Sequence, residues 1–267
     1  MSFRAKKAFL CVVLALAALP AARSQSGSPS REGNEFDMRA AAKQILAQAN
    51  EARAQAGVGP LEWDPALAAA ALKHCRRMIA EGPIAHQYAG EPDLGARAEQ
   101  AGAHFSVIEE NVAFGPTPGG IHMQWMNSPG HRENLLSPDV DRVGIAVLPG
   151  RGEYYSVADY SRGVESLGLR QVETRVAALV RQSGVEIAGD PSVARAACTT
   201  DHGIPRATGG MQPSFVMRWQ DADLSQVPHA LAERLATGRY REAAVGSCPA
   251  QNLGGSFTAY RIAVILY

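Results

Sequence analysis

The spacing of apolar positions divides the chain into helical and extended stretches. Over 36–55, Ile45, Leu46 and Ala49 mark one helical face, with Asp37 as a cap and Gly57 as the stop. Asp64-Pro65 reads as a cap and first-position proline for a helix running to Glu81, with an apolar stripe at Leu67, Ala71, Leu72, Cys75 and Ile79. Gly82-Pro83 breaks it. Residues 97–101 read as a short helical piece, 106–114 as extended chain, 115–120 as a turn-rich loop and 121–126 as helix. Ser128 can cap a short helix that starts at Pro129 and ends before Ser137-Pro138, which puts His131 in its first turn. Val143, Ile145 and Val147 alternate, so 142–148 reads as a strand; a turn at 149–152 leads to a second strand over 154–160.

Beyond a junction near 161–166 the pattern restarts. Helices are expected over 172–182, 193–198 and 224–236, and strands at 186–187, 214–219, 243–245 and 260–266. This half reads as α+β, about 100 residues long, a length that can fold alone. No internal repeat and no heptad stands out. The expected division is 1–23 signal peptide, 24–36 flexible linker, 37–162 first domain and 163–267 a second, smaller α+β domain.

The ends and composition narrow the class. Arg4, Lys6 and Lys7 precede an apolar run over 9–19 and a small-residue cleavage zone, a secretory leader too short to span a bilayer. No later run is long enough to serve as a transmembrane segment. Export predicts a secreted or periplasmic protein. The formal net charge of zero argues against a nucleic-acid partner, which calls for a basic surface. With Cys11 in the leader, three cysteines remain. Cys198 and Cys248 share the second half and are the expected disulfide; Cys75 sits in an alanine-rich helix as a small buried hydrophobe. Oligomeric state is left open.

His86, Glu110 and His131 are the candidate site residues. Each lies at a turn or element edge among residues that would hold it. Two imidazoles and a carboxylate can hold zinc or another divalent metal in an open site, or act as base and acid without one. A hydrogen-bonded structural network is the third possibility. Glu109 and Glu110, as strand neighbours, point to opposite faces. No glycine-flanked serine elbow, phosphate loop, HExxH or calcium loop occurs.

A series of short motifs then gives a resemblance. Asn50-Glu51-Ala52-Arg53, Leu61-Glu62-Trp63-Asp64, the lone His86, Glu110-Asn111-Val112-Ala113, the run from Trp125 through Arg132, Asn134-Leu135-Leu136, Val143-Gly144-Ile145-Ala146 and 155–160 occur in this order. Over about 38–162 the chain resembles the CAP superfamily of cysteine-rich secretory, antigen 5 and pathogenesis-related 1 proteins, in its bacterial secreted branch. The resemblance implies an α/β fold, a three-layer α-β-α sandwich with an open cleft. Animal members often carry two histidines and two glutamates there. His86, Glu110 and His131 match three of them. The second glutamate would fall near Ser128, where this chain has no carboxylate; Glu109 or Asp159 could replace it in space. Asn111, Ser128 and Asn134 are expected to support the site, with Asn134 tying the loop after His131 to the sheet.

Three functions follow as expectations. The cleft binds a small apolar ligand, a divalent metal or a cell-envelope component without turnover. Alternatively, it is a metal- or acid/base-assisted hydrolase of peptide or envelope material. Alternatively, the chain is an interaction protein with a vestigial cleft. The missing nucleophile and missing glutamate favour the first and last over an enzyme.

Overall fold

The structure, a computed structural model, describes residues 31–188, 190–203, 212–251 and 257–267. The expected leader over 1–23 lies outside these. Among the described residues, no helix is long and apolar enough to cross a membrane.

Helix α1 (Arg31–Gln55) opens the first unit, followed by β1 (Glu62–Trp63), α2 (Pro65–Glu81), α3 (Leu94–Gln100) and β2 (Phe105–Gly115). Helices α4 (Pro118–Asn127) and α5 (Pro129–Leu136) lead into the hairpin of β3 (Arg142–Gly150) and β4 (Glu153–Gly163). The helix α1 begins six residues before Asp37, so Asp37 is internal rather than a cap, and 31–36 are helix rather than linker. No proline interrupts 31–36, and extending an existing helix costs far less than starting one.

The sheet order is β1-β3-β4-β2, with β1 parallel to β3 and the other pairs antiparallel. Strand β4 is central, flanked by β2 and β3. Alternation sorts the strands onto two faces. Ala113, Val143, Ile145, Ala158 and Tyr160 pack with Ile45, Ala49, Ile121, Trp125 and Leu135 of α1, α4 and α5. Val112, Ala146, Leu148 and Val157 pack with Ala71, Cys75 and Met78 of α2. This is the three-layer sandwich. The buried stripe of α2 is Leu67, Ala70, Ala71, His74, Cys75 and Met78, so Leu72 and Ile79 are only half-buried. Gly144 sets the fit of α2 on the sheet: a Cβ there would come within 2.0 Å of the Ala68 nitrogen.

Arg53, 1% exposed, locks the first unit together. Its guanidinium donates to the carbonyls of Gly59, Leu135, Ser137 and Val140, tying α1 to the chain between α5 and β3.

The second unit runs α6 (Leu169–Arg181), β5 (Glu186–Ile187), α7 (Pro191–Cys198), β6 (Phe215–Asp221), α8 (His229–Ala236), β7 (Glu242–Cys248) and β8 (Tyr260–Leu266). Helix α8 starts five residues later than the expected 224, because Pro228 lacks an N–H and can only precede or open a helix. The sheet order is β5-β7-β8-β6, with β5 parallel to β7 and the rest antiparallel. That is the connectivity of the first sheet. The layers match too: α6 and α8 cover one face, as α1, α4 and α5 do, and α7 covers the other, as α2 does. Gly246 repeats the role of Gly144, since a Cβ there would meet the Arg195 nitrogen at 2.2 Å.

An internal repeat is therefore present, contrary to the reading of the sequence. Its traces are short. Gln55-Ala56-Gly57-Val58 and Gln182-Ser183-Gly184-Val185 each end a first helix, with Gly57 and Gly184 at φ +73° and +77°. Asp64-Pro65 and Asp190-Pro191 each cap the next helix. The repeat is topological, and most side chains differ, which hides it from periodicity.

Cys198 and Cys248 are bonded, joining the end of α7 to the end of β7. Cys75 is free and buried, and burial pushes its thiol up to about 12, so it stays protonated and inert. The units touch where Val164 N–H donates to His104 O, Thr258 N–H donates to Phe105 O, and Phe257 meets Phe105 edge-on.

Candidate functional site

The site grows from one rung of the first sheet. Glu110 on β2 pairs with Asp159 on β4, which pairs with Gly144 on β3. All three face α2. Glu110 is buried, and both of its oxygens are engaged. Oε1 lies 2.8 Å from His86 Nδ1, and Oε2 accepts from the Arg97 guanidinium. Arg97 comes from α3 and is itself buried; its Nη1 also donates to His86 O at 2.9 Å. One arginine thus fixes both the histidine's backbone and the carboxylate that its ring meets.

A second pair extends this polar layer. His74 on α2 lies 2.9 Å from Glu91 Oε1 through Nδ1 and 2.9 Å from Ala85 O through Nε2. The ring thus has an acceptor group at each of its two nitrogens. Burial works against the charge of Glu91, yet hydrogen bonds from His74 and Tyr88 N–H hold its carboxyl below the usual range. His74 and Glu91 brace the loop that presents His86.

His86 is the outward end of the layer, its side chain 61% exposed. The hydrogen bond to Glu110 raises its pKa, so it stays protonated to higher pH than a free imidazole. His131 sits on α5, the helix packed against the other face of the sheet, close enough to His86 to feel its charge. It is half-buried; burial, then the nearby His86, lower its pKa. Its carbonyl accepts from Asn111 Nδ2 at 2.8 Å. Asn134 Nδ2 donates to Glu110 O at 3.1 Å and Asn111 Oδ1 at 3.0 Å. The two asparagines therefore hold α5 against β2 beside Glu110. Ser128 departs from expectation. Its side chain makes no capping bond to α5. It ends α4 and begins α5 at once, and its N–H is turned back to Gln124 O and Trp125 O.

Glu109 is half-buried on the other face. It lines a hollow of about 660 Å³ with Arg132, Glu133 and Asp139. Burial, then Asp139 and Glu133, raise its pKa. Asp159, not Glu109, stands opposite Glu110.

The donor set does not suit a divalent metal as it stands. Both Glu110 oxygens are taken, and the Arg97 cation occupies the place where a metal would need negative charge. Among the described residues, no group of three or more His, Cys, Asp or Glu is arranged to hold a metal ion. Sequence reasoning passed over Arg97, Glu91 and the buried role of His74. Nothing in their local pattern marks them; only the fold brings them to Glu110.

Residues 46–160 match the family model described as CAP, the cysteine-rich secretory protein family. The first unit is a CAP domain. A protein of Bacillus subtilis (strain 168) named "Uncharacterized membrane protein YlbC" is 33% identical over 106 residues, 39% of this chain and 31% of its own length. A second, "Uncharacterized protein YkwD" of the same strain, is 30% identical over 110 residues, 40% of this chain and 42% of its own. The matched stretch thus spans well under half of each of these relatives. Among solved structures, an extracellular SCP-domain protein from Bacillus anthracis str. Ames is similar at 25% identity and a TM-score of 0.46, over 51% of this chain and 45% of its own. An outer surface protein from Borrelia burgdorferi is similar at 21% identity and a TM-score of 0.44, over 47% of this chain and 94% of its own. The family match ends at residue 160, so the second unit lies wholly outside it.

Proposed function

We propose that the CAP domain is an extracellular binding module, whose cleft between His86 and His131 holds an acceptor-bearing group of a cell-envelope component without turning it over. The state of Glu110 carries this reading. A carboxylate held by Arg97 and by His86 is neither a free general base nor an open metal ligand. What the cleft offers outward is the exposed ring of His86, an N–H donor with a raised pKa, beside His131. Such a surface suits a carboxylate or phosphate oxygen. The disulfide and the expected leader support an oxidising, exported setting.

Co-sedimentation tests this. The mature protein should pellet saturably with purified peptidoglycan sacculi, and the His86→Ala/His131→Ala double variant should not. Vesicles containing phosphatidylglycerol separate a lipid phosphate from a wall carboxylate. Soluble fragments released from the sacculi at a rate that depends on Glu110 would overturn the reading in favour of hydrolysis.

A further inference from the structure

We infer that Asp159 is the second carboxyl of this cleft, a concealed acid that donates its proton to Glu110 and so positions the Glu110–His86 pair. Strand register carries the first part. Asp159 stands directly across from Glu110, and the Gly144 rung beside it lets the α2 backbone close over both. The cleft thereby holds two carboxyls although no acid occupies the helix position near Ser128.

The second observation is energetic. Asp159 is fully buried, and no N–H or O–H group reaches either of its oxygens. Leaving a buried acceptor without a donor costs about 1–3 kcal/mol, more when it is charged. Burial, then the neighbouring Glu110, raise its pKa well above the usual carboxylate range. The acid form removes the problem: its O–H is then a donor beside the Glu110 carboxylate, its partner across the rung. The groups around this pair are Arg97 from α3, His74 from α2, Glu91 and His86 from the α2–α3 loop, and His131 from α5.

The third observation is a control inside the same chain. The rung of the second sheet that corresponds to Gly144–Asp159–Glu110 is Gly246–Ala263–Arg218. There the same strand connectivity and the same glycine contact are built with alanine in the place of Asp159. The fold has no need of an acid at this rung, so the cost of Asp159 belongs to the site.

The consequence rests on the binding reading. By donating to Glu110, Asp159 tempers the charge that His86 Nδ1 meets, and so sets how readily the ring takes up the second proton that gives it an outward N–H. The test is made on ligand-free protein, so its failure is distinct from failure to bind sacculi. Ring-nitrogen NMR of ¹⁵N-histidine-labelled protein at pH 7 reads His86 directly. Asp159→Asn keeps a donor toward Glu110 and should preserve the wild-type His86 pattern. Asp159→Leu removes the donor while keeping the volume, and should shift His86 toward the doubly protonated pattern with the rest of the spectrum unchanged. An identical His86 signal in all three proteins overturns the proposal and leaves Asp159 a packing residue. If Asp159→Leu fails to fold, the ¹³Cγ shift of Asp159 in the wild type decides: an acid-type shift at pH 7 supports the proposal and a carboxylate-type shift overturns it.

Discussion

Glu110 and Arg218 occupy the same rung of two sheets with the same connectivity, and they do opposite things. Glu110 draws Arg97 and His86 around one buried carboxylate that opens outward through His86, and its backbone carbonyl accepts from Asn134 of α5. Arg218 closes its rung. Its Nε donates to Ala197 O at 2.6 Å, and its Nη2 reaches Gly203 O and Thr200 Oγ1, so the guanidinium caps the end of α7. Where α2 continues for 17 residues and carries His74, α7 stops after 8 and is stapled to β7 by the disulfide. The first unit devotes length and buried polar groups to a cleft. Among the described residues the second has one helix, α8, where the first has α4 and α5, and at its rung it carries alanines, a cystine and a capping arginine. A shared fold therefore does not distribute a site; the site lives in side chains on one rung and the loops that reach it.

Arg53 gives the largest way to break this comparison. Counted back from the matching Gln55 and Gln182, its counterpart is the buried Val180. Arg53→Val copies the second unit into the first and leaves four carbonyls without their donor. The expected loss is about 4 kcal/mol, since each orphaned group costs on the order of 1 kcal/mol or more. Chemical denaturation should show the first unit unfolding before the second.

The second unit answers to its disulfide. Replacing Cys198 and Cys248 with alanine frees a loop of 50 residues, and the expected cost is about 3 kcal/mol, within the usual range for a native cystine. Calorimetry should show the second unit melting earlier while the first keeps its transition. One merged transition in both proteins would show that the units fold as one body.

Gly144→Ala and Gly246→Ala make a matched pair. Each drives a methyl into a helix backbone, and each should destabilise its own unit by about 2 kcal/mol or more through overpacking. Only Gly144→Ala should also disturb the His86 signal, because it moves α2 over Asp159.

The smallest effect is in pH. Asp159 has a raised pKa in the folded state, so its contribution is fully present below the ordinary carboxylate value of about 4 and is lost as pH rises through the folded value. The raised pKa of His86 acts in the same sense: its contribution is present below about 6.5 and is lost as pH rises through the folded value. In the second unit, Arg195 holds the carboxyl of Glu173 down, so that contribution is present above about 4 and lost in acid. Melting curves from pH 4 to 8 should show the first unit giving ground as pH rises, a loss that Asp159→Asn reduces.

Much of the fold is legible in the sequence because its elements carry local marks. Asp64-Pro65 and Gly82 delimit α2, and the alternation from Val143 to Val147 delimits β3. His86, Glu110 and His131 are legible through the order of motifs around them. The polar layer beneath them is not. Arg97, Glu91 and Asp159 meet Glu110 only after β2, β4 and α3 have packed, and no local period records that. The duplication is hidden for a related reason. Topology and two glycine contacts persist, but 17- and 8-residue helices with different side chains leave only Gly57/Gly184 and the two Asp-Pro caps to compare.

Amide NMR of the intact protein titrated with soluble peptidoglycan fragments tests the central claim most directly. Shifts should cluster on His86, Glu110, Asn111, His131 and Asn134, with Arg218, Ala263 and Gly246 unmoved and the fragments recovered intact. Shifts centred on the second sheet, or cleaved fragments, would contradict it.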